Sequence, residues 1–155
     1  MHPNPGQNSG SHGMPFALLL ADDDVDDIEL FTEALAETNN TVICYCVKDG
    51  KEVLPKLRQP DTIKPALIFL DVNMPGMNGW ESLSVIKKDE TYKDIPVIMY
   101  STSSHIKDVE LAKLRGALCF FTKPPDFSRL KKIIDITITN LAKGSVESIC
   151  EAIHA

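Results

Sequence analysis

The chain has 155 residues, 43% hydrophobic and 25% charged, a balance suited to one globular domain with a single core. No apolar run reaches the roughly 18 residues of a membrane span. The formal net charge is −6 and no stripe of Lys or Arg occurs. That argues against direct binding to nucleic acid, whose phosphates are held by cations. The opening MHPNPGQNSGSHG lacks the apolar segment of a secretory signal, so the expected location is the cytoplasm.

Residues 1–14 are rich in Gly, Pro, Asn and Ser and read as a disordered leader. From Phe16 the pattern changes. Phe16–Ala21 is a short continuous apolar run, the mark of a strand covered on both faces. Ile28, Phe31, Ala34 and Leu35 then recur at helical spacing between Val25 and Thr38, and Asn39-Asn40 ends that helix. Thr41–Val47 reads as a second strand, followed by a helix-like Val53–Leu57. Pro55 fits that helix only in its first turn, where no N–H is needed. Ala66–Leu70 is a third strand, and a polar turn at 75–79 leads to a helix carrying Trp80, Leu83 and Ile86 on one face. Pro96–Tyr100 with Ile106–Leu114, and Leu118–Thr122 with residues 126–141, complete five strand–helix units. Strict alternation predicts a doubly wound α/β domain over 16–141, a five-stranded parallel sheet with helices on both faces.

Chemistry-bearing residues fall at the strand ends: Asp22 and Asp23 after the first, Asp71 after the third, Ser101 after the fourth and Lys123 after the fifth. In an open parallel sheet ligands bind outside the carboxyl ends of the strands, so these residues converge. Three carboxylates in one place repel one another and need a compensating charge. Lys123 and a hard dication such as Mg²⁺, which prefers oxygen ligands, are the natural candidates. An ionised Asp beside that metal can attack a phosphoryl group, with the cations stabilising the transferring oxygens. Plainer readings exist. Asp26 and Asp27, and also Asp24, suit a helix N-terminus. Ser103 and Ser104 suit an N-cap. Phe120 taken alone suits the core, and His2, His12, His105 and His154 suit the surface.

The stretches LLLADDD, IFLDVNMPGMNGWE, PVIMYSTSS and FFTKPP, in this order and spacing, resemble bacterial two-component response-regulator receivers over residues 16–141. The resemblance implies a flavodoxin-like strand order 2-1-3-4-5. It implies Asp71 as phosphoacceptor, Asp23 as direct ligand to Mg²⁺, Asp22 acting largely through water, and the Asn73 backbone carbonyl as a further ligand. It makes Ser101 the switch hydroxyl, Phe120 the switch aromatic and Lys123 the phosphate partner, and it implies a cis Lys123–Pro124 bond. The donor would be a histidine kinase or histidine phosphotransfer protein. With no output domain after Leu141, the signal would pass by docking to a downstream protein or along a relay, and the chain would not be an enzyme beyond phosphoryl acceptance and slow self-dephosphorylation. A haloacid-dehalogenase-type phosphatase fits less well, because Asn73 stands where its second acid belongs. A flavin protein fits less well, because three acids repel the cofactor phosphate.

Cys44, Cys46, Cys119 and Cys150 make no C-x-x-C pair and no zinc-finger spacing with His, and read as free, buried thiols in a reducing compartment. In the tail, 142–155, Val146, Ile149, Cys150 and Ile153 recur at helical spacing, with Gly144 as a left-handed stop and Ser145 as a cap. So short a helix forms only if its stripe is buried, on its own domain or on a second copy in a homodimer.

Overall fold

The computed structural model describes residues 16–102 and 106–155; the leader at 1–14, His2, His12, His105 and the caps at Ser103 and Ser104 lie outside them. The elements in chain order are β1 (Ala17–Ala21), α1 (Val25–Thr38), β2 (Ile43–Val47), a 3-10 turn (Gly50–Glu52), α2 (Val53–Leu57), β3 (Leu67–Asp71), α3 (Gly79–Lys88), β4 (Val97–Ser101), α4 (Ile106–Leu114), β5 (Cys119–Thr122) and α5 (Phe127–Lys143). A second 3-10 turn (Val146–Ser148) and α6 (Ile149–Ile153) follow. All strands pair in parallel in the order β2-β1-β3-β4-β5. Pro55 is the third residue of α2, inside the first turn, where its missing N–H removes no bond.

Side chains alternate between the two faces of a strand, and here they sort into two cores. Leu18, Leu20, Leu67, Phe69, Ile98, Tyr100, Cys119 and Phe121 face α1 and α5, where Phe31, Leu35, Ile133 and Ile134 close over them. Leu19, Ala21, Ile68, Leu70, Val97, Met99 and Phe120 face the other way, onto Val53, Leu57, Leu83, Ile86 and Ala112 of α2, α3 and α4. Phe69 anchors the first core, with edge-on rings of Phe31, Tyr100 and Phe121 at 5.0, 6.4 and 6.3 Å.

The tail folds back on its own domain. Gly144 takes φ 74°, a left-handed stop that suits glycine, and its N–H bonds the Asn140 and Leu141 carbonyls. Ile149 and Ile153 are fully buried in the first core, and the Arg129 guanidinium donates to the Ile153 carbonyl. Ser145 makes no side-chain cap; the turn is closed by backbone bonds, including Ser148 N–H to the Ser145 carbonyl. The apolar stripe is therefore covered within the chain.

Two further expectations are corrected. No cis peptide bond occurs among the described residues, so Lys123–Pro124 is trans, the form X-Pro bonds ordinarily prefer. The cysteines are free, but only Cys119 is buried. Cys44 and Cys46 do share a strand face, with sulfurs 3.9 Å apart, but β2 is an edge strand and leaves Cys46 exposed. Among the described residues no helix is long and apolar enough to cross a membrane.

Candidate functional site

The alternation that sorts the cores also sorts the polar residues one step beyond them. Asp22, Asp71, Tyr100 and Lys123 continue the face toward α1 and α5; Ser101 and Phe120 belong to the opposite face. Because β1, β3, β4 and β5 run parallel in near register, all six arrive at one edge.

Asp22 is wholly buried and its carboxylate is fully engaged. Its Oδ1 accepts from the Asp24 backbone N–H at 2.9 Å, while Oδ2 accepts from the Tyr100 hydroxyl at 2.5 Å and lies 3.0 Å from Lys123 Nζ. Burial and the negative charge of Asp22 push the Tyr100 hydroxyl well above its ordinary range, so it acts as a donor. Asp23 is exposed. Asp24 caps α1, accepting from the Asp26 and Asp27 N–H groups, as an acid at a helix N-terminus should.

Asp71 is buried, and each of Asp22, Asp23 and Asp71 offers a carboxylate oxygen within 4.8 Å of the others'. Burial, then repulsion from Asp22, raises the Asp71 carboxyl from 3.8 to about 7, against the opposing pull of Lys123 and the Asn73 N–H. Lys123 Nζ lies 2.8 Å from Asp27, 3.0 Å from Asp22 and 3.3 Å from Asp71, and sits 4.8 Å from the Tyr100 ring centre. Burial alone would lower the Lys123 ammonium, but hydrogen bonds to Asp27 and Asp22 more than offset it and hold the group above its ordinary value.

The loop after Asp71 is fixed at both ends. Val72 N–H bonds the Tyr100 carbonyl, and Gly79 N–H returns to the Val72 carbonyl at 2.9 Å. A Cβ at Gly79 would stand 2.2 Å from the Asp71 carbonyl oxygen, so only glycine lets α3 begin this close to β3. Asn78 and Glu81 form a capping box at the start of α3. Asn73 donates its side-chain amide to Ser101 Oγ at 3.3 Å, and Ser101 is buried. Phe120 is buried too, stacked on Trp80 at 6.4 Å with the rings 15° apart. It also borders a cleft of about 430 Å³ shared with Val109, Lys123 and Arg129.

The structure thus gathers Asp22, Asp23, Asp71, Asn73, Ser101 and Lys123 at one edge, with Phe120 on the flank. Two members of the constellation are not marked by the sequence pattern: Asp27 has the look of a helix N-terminal acid and Tyr100 of the end of an apolar strand, yet they bond Lys123 and Asp22. Tyr100 could have been found from parity alone, since it shares a face with Asp71 and Lys123.

Known proteins match this arrangement. The response regulator receiver domain family covers residues 18–135. The chain belongs to that family. The receiver is 30% identical over 124 residues to response regulator Rcp1 of Synechocystis sp., covering 77% of this chain and 84% of Rcp1. Its fold is similar to that of the phosphorylated cyanobacterial phytochrome response regulator RcpA, at 33% identity and TM-score 0.74, covering 85% of this chain and 96% of RcpA. It is also similar to the Mn²⁺-bound form of Rcp1, at 29% identity and TM-score 0.71, covering 81% and 93%. Receiver domains accept a phosphoryl group, bind a divalent metal at an acidic pocket and interact with histidine kinases and downstream targets. The oxygen set of Asp22, Asp23 and Asp71, three carboxylates within 4.8 Å of one another, suits such a cation.

Proposed function

We propose that this receiver takes a phosphoryl group onto Asp71 from a partner phosphohistidine, in the presence of Mg²⁺, and that the modification changes which proteins it binds. The observation that carries this reading is the crowding of Asp22, Asp23 and Asp71 at the carboxyl edge of the sheet, with Lys123 paired to Asp22 and Asp71. Mg²⁺ held by Asp23, Asp71 and the Asn73 carbonyl, with Asp22 acting through water, would supply charge neutralisation to the nucleophile and to the transferring oxygens.

In this reading an Asp71 carboxylate oxygen attacks phosphorus, the P–N bond breaks, and its electron pair returns to the donor imidazole, which takes up a proton. The product is an acyl phosphate on Asp71. Lys123, already paired with Asp71, follows the charge onto the phosphoryl oxygens. The internal donors on Asp22 support an indirect role, since the Asp24 N–H, the Tyr100 hydroxyl and Lys123 already occupy its oxygens.

Ser101 then leaves Asn73 and donates to a phosphoryl oxygen. That new bond exists only in the phosphorylated state, which is what a switch requires. Phe120 has room to repack in the cleft beside it, so the surface of α4, β5 and α5 carries the change to a downstream protein.

The test is incubation with acetyl phosphate, with and without Mg²⁺, read by intact mass. One phosphoryl group is expected with Mg²⁺ present, and none on Asp71→Asn. Undiminished labelling of Asp71→Asn would overturn the assignment.

A further inference from the structure

A second ligand cluster lies away from the acidic edge, where the tail meets β5. Cys119 is buried on β5, Cys150 is half-buried on α6, and His154 is exposed at the end of that helix. Each offers one ligand atom, and these atoms lie within 4.8 Å of one another. Cys150 Sγ is 3.8 Å from His154 Nδ1, and that nitrogen bonds the Cys150 carbonyl at 2.8 Å, a bond it would exchange for a metal. We propose that Cys119, Cys150 and His154 form a zinc site that staples the C-terminal helix to the edge strand of the sheet.

The distances suit the metal. Zinc–sulfur bonds of about 2.3 Å and zinc–nitrogen bonds of about 2.0–2.1 Å give tetrahedral edges of roughly 3.5–3.8 Å between ligand atoms. Cys150 Sγ and His154 Nδ1, 3.8 Å apart, already stand at such an edge, and Cys119 lies within 4.8 Å of both. Two thiolates and an imidazole are a soft-to-borderline set, unlike the all-oxygen set at Asp71, so the two places select different cations. Three protein ligands leave a fourth position. An open cleft of about 380 Å³, lined by Lys113, Leu118, Glu147 and Glu151, borders Cys150 and His154 and gives an ion a route in and room for a water. The other close cysteine pair, Cys44 and Cys46, belongs to no group of three metal-ligating residues among those described. The sequence hides the site because its ligands come from β5 and from a tail helix that only the fold brings together.

The zinc site does not rest on the phosphoacceptor reading. Its consequence would reach that edge, since Cys119 immediately precedes Phe120 and a metal bond would pin β5 to α6 there.

The full reduced chain, carrying Cys44→Ser and Cys46→Ser and saturated with Mg²⁺, is titrated with Co²⁺ and read by visible absorption. A single equivalent giving intense tetrahedral d–d bands and sulfur-to-cobalt charge transfer, bleached by Zn²⁺, is expected. Cys150→Ser and His154→Ala, both at accessible positions, should each weaken the binding by at least the roughly 10–100-fold that loss of an outer-shell partner costs. Circular dichroism checks that both variants stay folded. Only the weak absorption of six-coordinate cobalt, or bands that survive both substitutions unchanged, would overturn the proposal.

Discussion

Lys123 is held closer to Asp27, at 2.8 Å, than to Asp71, at 3.3 Å. The ammonium thus bridges the first turn of α1 and the end of β3, and a third carboxylate, Asp22, lies 3.0 Å away. One cation answers three acids, of which Asp22 and Asp71 are buried. Removing one partner of a buried, hydrogen-bonded ion pair typically costs about 3–5 kcal/mol, since the remaining charges stay desolvated and unpaired. Lys123→Ala should therefore lower the urea midpoint markedly in EDTA and by much less in excess Mg²⁺. An equal loss in both conditions would mean that the metal and the ammonium do not share the same acids.

The pH dependence of the metal-free protein follows from Asp71. Its carboxyl is raised from 3.8 to about 7 by burial and by Asp22, so the fold favours the protonated acid. The stability this group contributes is fully present below about 4 and is lost as pH rises through about 7, because the folded state then holds the proton more tightly than the unfolded chain does. In EDTA the melting temperature of the wild type, relative to that of Asp71→Asn, should fall between pH 5 and pH 8. At pH 8 Asp71→Asn should melt higher than the wild type, and Mg²⁺ should narrow the gap by stabilising the wild type. Parallel pH profiles in EDTA would show that Asp71 is not held protonated by its surroundings.

The fold was legible because the apolar runs are short, continuous and punctuated, and a buried parallel strand leaves little else they could be. Most of the site was legible for the related reason that strand ends in such a sheet meet. What escaped was decided by tertiary placement. Asp27 looks like any acid in a first helical turn until α1 is laid against β5. Tyr100 looks apolar until β1, two strands away in the sheet, brings Asp22 to its hydroxyl. The cysteines of β2 looked buried because the run is β-like, yet strand order makes β2 an edge. The tail's stripe showed that a helix there must be covered, but periodicity alone could not choose between its own sheet and a second copy.

Trp80 gives an optical view of the proposed switch. Its ring is stacked on Phe120, with the Arg115 guanidinium 5.8 Å above the indole. If the bond from Ser101 to the phosphoryl group draws β4 toward the acceptor and Phe120 repacks, the surroundings of Trp80 change. Beryllofluoride with Mg²⁺ should shift or quench its emission in the wild type. In Ser101→Ala the anion should still bind at Asp71 while the spectral change shrinks. A full change in that variant would separate Trp80 from the hydroxyl.

The tail has a structural role that truncating a single side chain can expose. Ile153 is almost completely buried in the core between α5 and β5, and its carbonyl accepts from Arg129, so the last turn is tied at both side chain and backbone. An isolated helix of five residues would not persist, since nucleation is unfavourable and few bonds repay it. Its order must come from Ile149 and Ile153. Truncating a buried Ile to Ala typically costs about 2–5 kcal/mol, part from lost transfer energy and part from the cavity left behind. The low end is expected for Ile153→Ala, because so short a helix as α6 can shift into the gap. Truncation after Leu141 should cost more, since it uncovers Cys119 and the face of Ile133 and Ile134. Thermal melting of both variants, with light scattering to follow mass, checks this. A shortened chain that melts with the wild type would show that the tail rests on the domain without supporting it.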